Sequence, residues 1–196
     1  WPENSQLHYS LPEYGVDVRF LPLDFTQVNP VINHAMIQQA LSLLEPEAGH
    51  RVLDLFCGLG NFTLPIARQV DHVTGVEGEA GLVQRARDNA SRNEVHNTEF
   101  HAVDLSEDPA GQGWMSQGYD RILLDPPRSG AEEMVKHIGK LGAERIVYVS
   151  CHPGSLARDA GVLVNTLGYS LEAAGVMDMF PHTTHVESMA LFVRDS

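Results

Sequence analysis

The chain has 196 residues, is 43% hydrophobic and carries a formal net charge of −13. This length and apolar content suffice for one domain with a substantial core. No apolar run approaches the roughly 18 residues of a membrane span, and the first residues lack the basic and apolar regions of a signal peptide. We therefore predict a cytoplasmic protein without a membrane partner. Two cysteines are too few for a disulfide framework or a four-thiolate metal site, so we expect both to be reduced.

Apolar periodicity predicts an extended β segment in residues 1–30, followed by regular alternation of strands and helices. Asn29 as cap and Pro30 at the first helical position are typical of a helix start. The predicted helices are residues 31–44, 61–69, 79–92, 132–141 and 153–167, with a short helix or loop at 108–117. The predicted parallel strands are residues 51–55, 72–76, 99–103, 122–124 and 146–149.

The end of the chain breaks the alternation. Residues 169–179 and 188–193 have strand character, and the segment between them is too short for a crossover helix, so they should pair antiparallel. We predict that residues 31–196 form an α/β domain with a mostly parallel seven-stranded sheet and a C-terminal antiparallel hairpin. This is the Rossmann-like arrangement of class I S-adenosylmethionine-dependent methyltransferases.

A glycine-containing loop follows the first parallel strand. Gly58 and Gly60 allow close approach of a ligand to the backbone, and Glu77 at the end of the next strand can accept hydrogen bonds from both ribose hydroxyls. Thr63 stands where a dinucleotide fingerprint has its third glycine, which disfavours a pyrophosphate and favours S-adenosylmethionine. Asp104, at the end of the third strand, completes the predicted nucleotide site.

Two loop residues are also assigned to the cofactor, Phe56 and Asn61. Each has a simpler interpretation, since Phe56 can pack beneath the loop and Asn61 can be a helix cap only. Asp104 can likewise cap the following segment. Cys57 lies inside the loop, and we interpret it as a small buried side chain and not as a nucleophile.

Two signatures, Asp125-Pro126-Pro127-Arg128 and Ser150-Cys151-His152-Pro153, directly follow predicted buried strands. Ligands of open α/β sheets collect at these carboxyl ends, so both signatures should face one site. The pairing of these two signatures suggests chemistry on a nucleobase. Pro153 marks the first turn of a helix, and the positive end of that helix should lower the pKa of the Cys151 thiol. Cys151 is therefore the candidate nucleophile.

A basic cluster near this site is one possible binding surface for RNA phosphates. Its members would be Arg128, Lys136, Lys140 and Arg158. Scattered basic residues like these more often form an ordinary solvent-exposed surface without a binding role. The net charge of −13 also argues against a broad phosphate-binding face.

Five ordered motifs resemble the RNA uracil-5-methyltransferase family. They are Phe25-x-Gln27-x-Asn29, Asp54-x-Phe56-x-Gly58-x-Gly60-Asn61-Phe62, Asp125-Pro126-Pro127-Arg128, Ser150-Cys151-x-Pro153 with Leu156-Ala157-Arg158-Asp159, and His185-Val186-Glu187. The stretch 179–189 is most similar to the branch that acts on bacterial 23S ribosomal RNA, and less so to the tRNA branch.

The resemblance implies S-adenosylmethionine-dependent methylation of carbon 5 of a uridine. Cys151 would add to carbon 6, and Glu187 would remove the carbon 5 proton. Asp125 would lie at the cofactor and base pocket, and Arg128 would meet the target phosphate or the enolate oxygen. Gln27 would contact the cofactor. Phe25 would stack on the base, although a core position is an equally good interpretation of that phenylalanine.

This sequence departs from the family pattern in two ways. Members of the 23S branch carry an N-terminal RNA-binding β-barrel and a cysteine-ligated iron–sulfur cluster, and neither is found in these 196 residues. We therefore expect the catalytic domain alone, a monomer that holds its cofactor but binds RNA weakly. His152 stands where the family often has asparagine, which leaves the role of that side chain open.

Two other functions remain open at this point. The Asp125-Pro126-Pro127-Arg128 loop also resembles the Asp-Pro-Pro-aromatic loops of amino methyltransferases, which use no cysteine nucleophile. A cofactor-binding module without activity is the non-enzymatic alternative. His182 and His185 have no third ligand at a convincing spacing, so we predict no zinc site and no other metal in this chain.

Overall fold

The computed structural model of the protein describes residues 7–179, 182–183 and 186–195. The strands are β1 (Leu7–Leu11), β2 (Val16–Phe20), β3 (Arg51–Leu55), β4 (His72–Glu77), β5 (Thr98–Ala102), β6 (Arg121–Leu124), β7 (Arg145–Ser150), β8 (Tyr169–Met177) and β9 (Glu187–Arg194). The α-helices are α1 (Pro30–Leu44), α2 (Thr63–Ala67), α3 (Ala80–Arg92), α4 (Glu132–Ile138) and α5 (Pro153–Thr166). Short 3₁₀ turns lie at Pro12–Tyr14 and Gly113–Ser116.

The central sheet has the order β5-β4-β3-β6-β7-β9-β8. Strands β3 to β7 run parallel, as predicted. The chain moves outward from β3 to β5 and then returns to place β6 on the other side of β3, so the switch point lies between β3 and β6. Ligands of doubly wound sheets bind outside the carboxyl ends of the strands at such a point.

The last two strands form the predicted antiparallel hairpin, with β9 inserted between β7 and β8. In this register Ser188 pairs with Ser150. The Ser188 hydroxyl also donates to the Ser150 carbonyl at 2.9 Å. The hairpin therefore brings the start of β9 beside the end of β7. The predicted class I methyltransferase arrangement is confirmed.

Helices cover both faces of the sheet, which explains the uninterrupted apolar runs of its central strands. One core lies beneath α1, α2, α3 and the β1–β2 hairpin, and the other beneath α4 and α5. Asn29 caps α1 by accepting from the Ile32 amide at 3.3 Å, and Pro30 is the first helical residue. Among the described residues, the structure contains no helix long and apolar enough to cross a membrane.

Several elements differ from the sequence predictions. The helix predicted at 132–141 ends at Ile138, and the strand predicted at 169–179 ends at Met177. The N-terminal extended segment is a hairpin whose β1 and β2 strands pair from Leu7 with Phe20 to Leu11 with Val16. The helix predicted at 61–69 is limited to Thr63–Ala67. It begins late because left-handed backbone conformations in the preceding loop continue as far as Gly60.

Candidate active site

All the residues that the sequence singled out for the cofactor, the base or the reaction line one cavity of about 890 Å³. Its walls include the segments that follow β3, β4, β5, β6 and β7, together with the segment between β2 and α1. The predicted residues in this lining are Phe25, Gln27, Phe56, Gly58, Asn61, Glu77, Asp104, Asp125, Arg128, Cys151 and Glu187.

The loop after β3 turns sharply through left-handed conformations. Phe56, Gly58 and Gly60 have φ angles of 65°, 52° and 92°. The amides of Phe56 and Cys57 both donate to the Val76 carbonyl, at 2.8 and 3.1 Å, which fastens the loop to β4. A positive φ is unfavourable for phenylalanine, so surrounding contacts must hold this turn in place.

Glu77 is held by backbone donors from two directions. Its carboxylate accepts from the Gly58 amide at 3.2 Å and from the Glu79 amide at 3.1 Å. Asp104, which is exposed, accepts from both the amide and the hydroxyl of Ser106 at 2.9 and 2.6 Å. These hydrogen bonds hold the pKa of Asp104 below its usual range. Both acidic groups of the predicted nucleotide site are thus oriented before any ligand arrives.

Asp54 lies directly beneath this loop and is completely buried. Its carboxylate accepts a hydrogen bond from the Thr63 hydroxyl, while its second oxygen has no partner among the described residues. Burial raises the pKa of Asp54 to about 7. Cys57 is 5% exposed, and burial together with Asp54 and Glu77 raises the pKa of its thiol well above the usual value. Cys57 is therefore the buried side chain that the sequence predicted.

Asn61 participates in a network that the sequence did not reveal. Its amide exchanges hydrogen bonds with the buried Asn33 amide at 3.0 and 3.1 Å, and its oxygen also accepts from the Tyr9 hydroxyl at 2.8 Å. Asn61 is not the cap of α2, since Phe62 occupies that position. Tyr9 lines the cavity itself but lies in β1, where no motif marks it.

The segment between β2 and α1 passes along the cavity. Asp24 fastens it, because its carboxylate accepts from the Leu21 amide at 2.7 Å and from Arg85 on α3 at 2.6 Å. Beyond this anchor, Phe25 is 71% exposed at the cavity wall, so the core interpretation of Phe25 is wrong. The Gln27 amide oxygen is buried without a hydrogen-bond partner in the described part of the chain.

Cys151 and Glu187 face each other because of the β7–β9 register. Ser150, the last residue of β7, pairs with Ser188, so Cys151, which follows β7, and Glu187, which begins β9, are neighbours. Glu187 is only 4% exposed, whereas the Cys151 thiol is half-buried. Asp125, directly after β6, lies close enough to raise the pKa of Cys151, and Glu187 lies close enough to raise that of Asp125. No side-chain hydrogen bond from a described residue contributes to the pKa of Asp125 or of Glu187.

The titration behaviour of this group corrects one prediction. Burial, then Glu187, then Asp125 raise the pKa of the Cys151 thiol, and the opposing influence of Arg128 is smaller. The expected lowering of the Cys151 pKa is therefore wrong, because burial and the two carboxylates raise it. Burial and the negative charges of Glu187 and Asp54 raise the pKa of Asp125 to about 8. Burial raises the pKa of Glu187 to about 7.

His152 has a structural role at the start of α5. It is the N-cap residue, and its Nδ1 accepts from the Ser155 amide at 3.1 Å. The replacement of asparagine by histidine at this position therefore preserves a side-chain cap for the helix that begins at Pro153. This cap fixes the helix whose first turn directly follows Cys151.

The predicted basic cluster is largely neutralised. Lys136 pairs with Glu133 at 2.6 Å, and Arg158 is bound to Asp159 at 2.8 Å. Lys140 does not line the cavity. Arg128 is exposed, lines the cavity and has no ion pair with a described residue. Of the four residues in the predicted cluster, Arg128 is thus the one that lines the cavity without an ion pair to a described residue.

Of the two histidines weighed as metal ligands, His185 lies outside the described residues. His182 is described and has a positive φ of 67°. Within the part of the chain that the structure describes, no group of three or more metal-ligating side chains converges.

The strand order, the left-handed loop after β3 and the acidic residues at the strand ends define a class I methyltransferase. The chain also matches, over residues 15–195, the family model described as tRNA (Uracil-5-)-methyltransferase. The chain belongs to this family. The membership predicted from the five motifs is confirmed.

Relatives with assigned functions are close in sequence but longer. The chain is 60% identical over 194 residues to a protein of Xanthomonas oryzae pv. oryzae (strain MAFF 311018) named 23S rRNA (uracil(1939)-C(5))-methyltransferase RlmD, covering 99% of this chain and 44% of that protein. A protein of the same name from Alkalilimnicola ehrlichii is also 60% identical, over 100% of this chain and 44% of its own length. The chain thus spans less than half of these relatives.

Solved structures agree with the fold. Pyrococcus abyssi tRNA (uracil-54, C5)-methyltransferase in complex with S-adenosyl-L-homocysteine superposes with a TM-score of 0.82 and 31% identity, over 97% of this chain and 44% of that one. M. jannaschii TYW2 in complex with AdoMet superposes with a TM-score of 0.70 at 16% identity, over 100% of this chain and 89% of that one. The second similarity concerns the fold alone.

Proposed function

We propose that this chain is the catalytic region of an enzyme that methylates carbon 5 of a uridine in 23S ribosomal RNA, with S-adenosylmethionine as methyl donor. The observation that carries the proposal is the half-buried thiol of Cys151, which lies beside Glu187 and Asp125 in a cavity of about 890 Å³. This volume is in the range of ligand pockets. The names of the 60% identical relatives support 23S ribosomal RNA as the substrate.

The cofactor end of the cavity fits S-adenosylmethionine. Glu77 is oriented by two backbone amides and can accept hydrogen bonds from ribose hydroxyls, as Asp104 can from the adenine end of the ligand. The unpartnered amide oxygen of Gln27 can accept from the ammonium group of the cofactor. When bound, the cofactor supplies a methyl group attached to positively charged sulfur. The related P. abyssi enzyme was solved with the demethylated form of this cofactor, which supports the assignment.

Cys151 makes carbon 5 of uracil nucleophilic. Its thiolate forms a bond from Sγ to carbon 6, and the electron pair of the 5,6 double bond moves onto carbon 5 and O4. Arg128 favours this step in two ways, because its charge opposes the carboxylates that raise the pKa of the thiol and because it can stabilise the enolate oxygen. Carbon 5 is then able to accept a methyl group.

Glu187 completes the reaction. Methylated carbon 5 still holds its original proton, which Glu187 removes, and the electrons of that C–H bond rebuild the 5,6 double bond. The bond between carbon 6 and sulfur breaks in the same process and returns the Cys151 thiolate. With a pKa raised to about 7 by burial, Glu187 is a strong enough base near neutral pH and is still deprotonated in a substantial fraction of molecules.

Two further residues hold the base. With a pKa of about 8, Asp125 is largely protonated near pH 7, so it can donate a hydrogen bond to a carbonyl oxygen of uracil. Phe25 is exposed at the cavity wall and offers a face on which an unstacked base can lie. The target nucleotide has to leave its stack to reach Cys151, as in other enzymes that modify bases.

Most of the affinity for RNA must come from other parts of the full-length protein. The chain has a net charge of −13, and the cations around its cavity are mostly paired with acidic residues. We therefore propose that an N-terminal RNA-binding domain, together with the iron–sulfur cluster implied by the resemblance, accompanies this catalytic region in a cytoplasmic monomer. The relatives are more than twice as long, which leaves room for such a domain.

The test is product analysis of RNA incubated with the full-length protein and S-adenosylmethionine. Transcripts of 23S ribosomal RNA and of tRNA are digested to nucleosides and examined by mass spectrometry. We expect 5-methyluridine in the 23S transcript. If 5-methyluridine forms in tRNA alone, the proposed reaction is correct but the substrate is tRNA and not 23S ribosomal RNA. A base methylated on an exocyclic nitrogen would contradict the proposal and support the amino-methyltransferase alternative.

A further inference from the structure

We propose that Asp159 and Tyr148 are positioning residues that hold the loop of residues 128–131 against α5 and so fix Arg128 relative to Cys151. The loop follows Asp125, and α5 follows Cys151, so one set of contacts joins the two signatures that carry the reaction. The catalytic consequence of this inference rests on the proposed function. The claim that Asp159 and Tyr148 hold the loop is independent of that function.

Asp159 is a completely buried carboxylate in which both oxygens are hydrogen-bonded. One oxygen accepts from the Tyr148 hydroxyl at 2.6 Å and from the Ala131 amide at 2.7 Å. The other accepts from Arg158 Nε at 2.9 Å. A buried charge is tolerated only when it is paired and hydrogen-bonded, so these contacts constrain each other strongly.

The loop of residues 128–131 packs so closely against the Asp159 carboxylate that no additional side-chain atom fits between them. Gly130 has a φ of 83°, and a Cβ atom at this position would lie 2.6 Å from Arg158 Nη2 and 2.7 Å from Asp159 Oδ2. Arg158 also donates to the Ser129 carbonyl at 2.8 Å. The backbone of residues 129–131 therefore touches the side chains of α5 directly, and any larger residue at Gly130 displaces one or the other.

Tyr148 connects this network to the strand that carries the nucleophile. It lies in β7, two residues before Ser150 ends the strand, and its hydroxyl lies within 3.1 Å of the Ala131 amide as well as bonding Asp159. The position of Arg128 is thus set by groups on β7 and α5, the two elements that flank Cys151. Arg128 is the nearby cation that opposes the carboxylates around the thiol, so its displacement reduces the reactivity of Cys151.

Three variants of the full-length protein test the inference. Tyr148→Phe removes one hydroxyl from the network at nearly constant volume, and Gly130→Ala disturbs the same contact from the loop side. Tyr169→Phe is the matched control. Tyr169 is also a buried tyrosine, 1% exposed, whose hydroxyl donates to the Ala143 carbonyl at 2.7 Å, but it does not line the cavity.

Two measurements are made on each variant. The first is hydrogen exchange of the Ala131 amide, which needs no RNA. The second is the rate of covalent adduct formation with an RNA that carries 5-fluorouridine, at saturating RNA and cofactor. Fluorine at carbon 5 prevents the proton removal that releases Cys151, so the adduct persists. Thermal melting and cofactor binding serve as checks on folding.

We expect faster exchange of Ala131 and an adduct rate lowered about tenfold in Tyr148→Phe and more in Gly130→Ala, as for a misplaced catalytic group. Cofactor binding should stay within about twofold, and Tyr169→Phe should react like the wild type although it also loses a buried hydrogen bond. Wild-type exchange at Ala131 in Tyr148→Phe, or an equal loss of rate in Tyr169→Phe, would overturn the inference. A wild-type protein that forms no adduct would refute the proposed function, while the exchange measurement still decides whether Asp159 and Tyr148 hold the loop.

Discussion

The two halves of the cavity use the same kind of group, a carboxyl at the end of a strand, in opposite ways. In the cofactor half, Glu77 and Asp104 are held by hydrogen bonds of 2.6 to 3.2 Å from neighbouring backbone and hydroxyl groups. In the reaction half, no side-chain hydrogen bond from a described residue opposes the effect of burial on Asp125 and Glu187, and their pKa values are raised to about 8 and 7. The carboxylates predicted to bind the cofactor are thus held by neighbouring donors, whereas the two carboxyls beside Cys151 have raised pKa values.

Removal of the proposed nucleophile should have the largest effect. We expect Cys151→Ala to lower the rate of 5-methyluridine formation by at least about 10⁴-fold, because no other group can add to carbon 6. Cofactor affinity, a property of the other half, should be unchanged in calorimetry. Cys57→Ala is the matched control and should keep its activity, since Cys57 is buried in the loop. A Cys151→Ala enzyme that methylates RNA at the wild-type rate would contradict the covalent mechanism.

Replacement of the base should separate the two chemical steps. Glu187→Gln should still form the adduct and transfer the methyl group, but its release should be slowed about 10²- to 10⁴-fold. A methylated protein–RNA adduct should therefore accumulate with ordinary uridine RNA, detected by denaturing electrophoresis. Glu133→Gln, which changes another carboxyl of the cavity lining, should release its product normally. If Glu187→Gln turns over like the wild type, another group is the base.

The cofactor half should respond to a single buried oxygen. Gln27→Ala should weaken S-adenosylmethionine binding about tenfold, because the ammonium group loses its acceptor. The change should appear in the dissociation constant measured by calorimetry and leave the pH dependence of Cys151 unaltered. The control is Gln39→Ala on the exposed face of α1. Unchanged affinity in Gln27→Ala would place the ammonium group elsewhere.

The charges of the reaction half should shift the titration of the thiol. Because Glu187 raises and Arg128 lowers the pKa of Cys151, the midpoint of alkylation should move to lower pH in Glu187→Gln and to higher pH in Arg128→Ala. Iodoacetamide modification followed by intact mass across a pH series measures both. Cys57 should stay unmodified in every case. Equal midpoints in all three proteins would mean that these charges do not govern the thiol.

The smallest effect concerns stability. The folded-state pKa of Asp125, about 8, lies above its ordinary value, so the folded protein holds an extra proton that the unfolded chain releases. Its contribution to stability is complete at low pH, below the ordinary pKa, and is lost as the pH rises through about 8. Asp125→Asn should therefore raise the melting temperature by a few degrees at pH 8 and by less at pH 5. An equal change at both pH values would show that Asp125 is not neutral in the folded protein.

The arrangement of the sheet and the location of the site could both be predicted from the sequence. The apolar runs before Asp125 and Cys151 identify buried parallel strands, and the short connection before β9 requires an antiparallel return. Because parallel strands end at one edge, motifs distant in sequence had to converge there. The cavity accordingly includes all the predicted site residues, although the roles of individual residues remain predictions.

Other features depend on contacts that no local pattern records. Tyr9 reaches Asn61 from a hairpin with no motif, and Asp159 reaches Ala131 across the gap between two elements. The prediction of a low pKa for Cys151 was wrong for a related reason. The helix start is visible in the sequence, but the approach of Glu187 and Asp125 depends on strand register and burial. Pairwise distances between distant side chains decide such questions, and local sequence does not contain them.

The central claim is that Cys151 bonds to carbon 6 of a uridine, and intact mass spectrometry of the trapped complex tests it most directly. The full-length protein and its Cys151→Ala variant are incubated with S-adenosylmethionine and a 23S ribosomal RNA fragment containing 5-fluorouridine. We predict a species with the combined mass of protein, RNA and one methyl group in the wild type, and none in the variant. An adduct of the same mass in Cys151→Ala, or methylated RNA from the wild type without any adduct, would contradict the account.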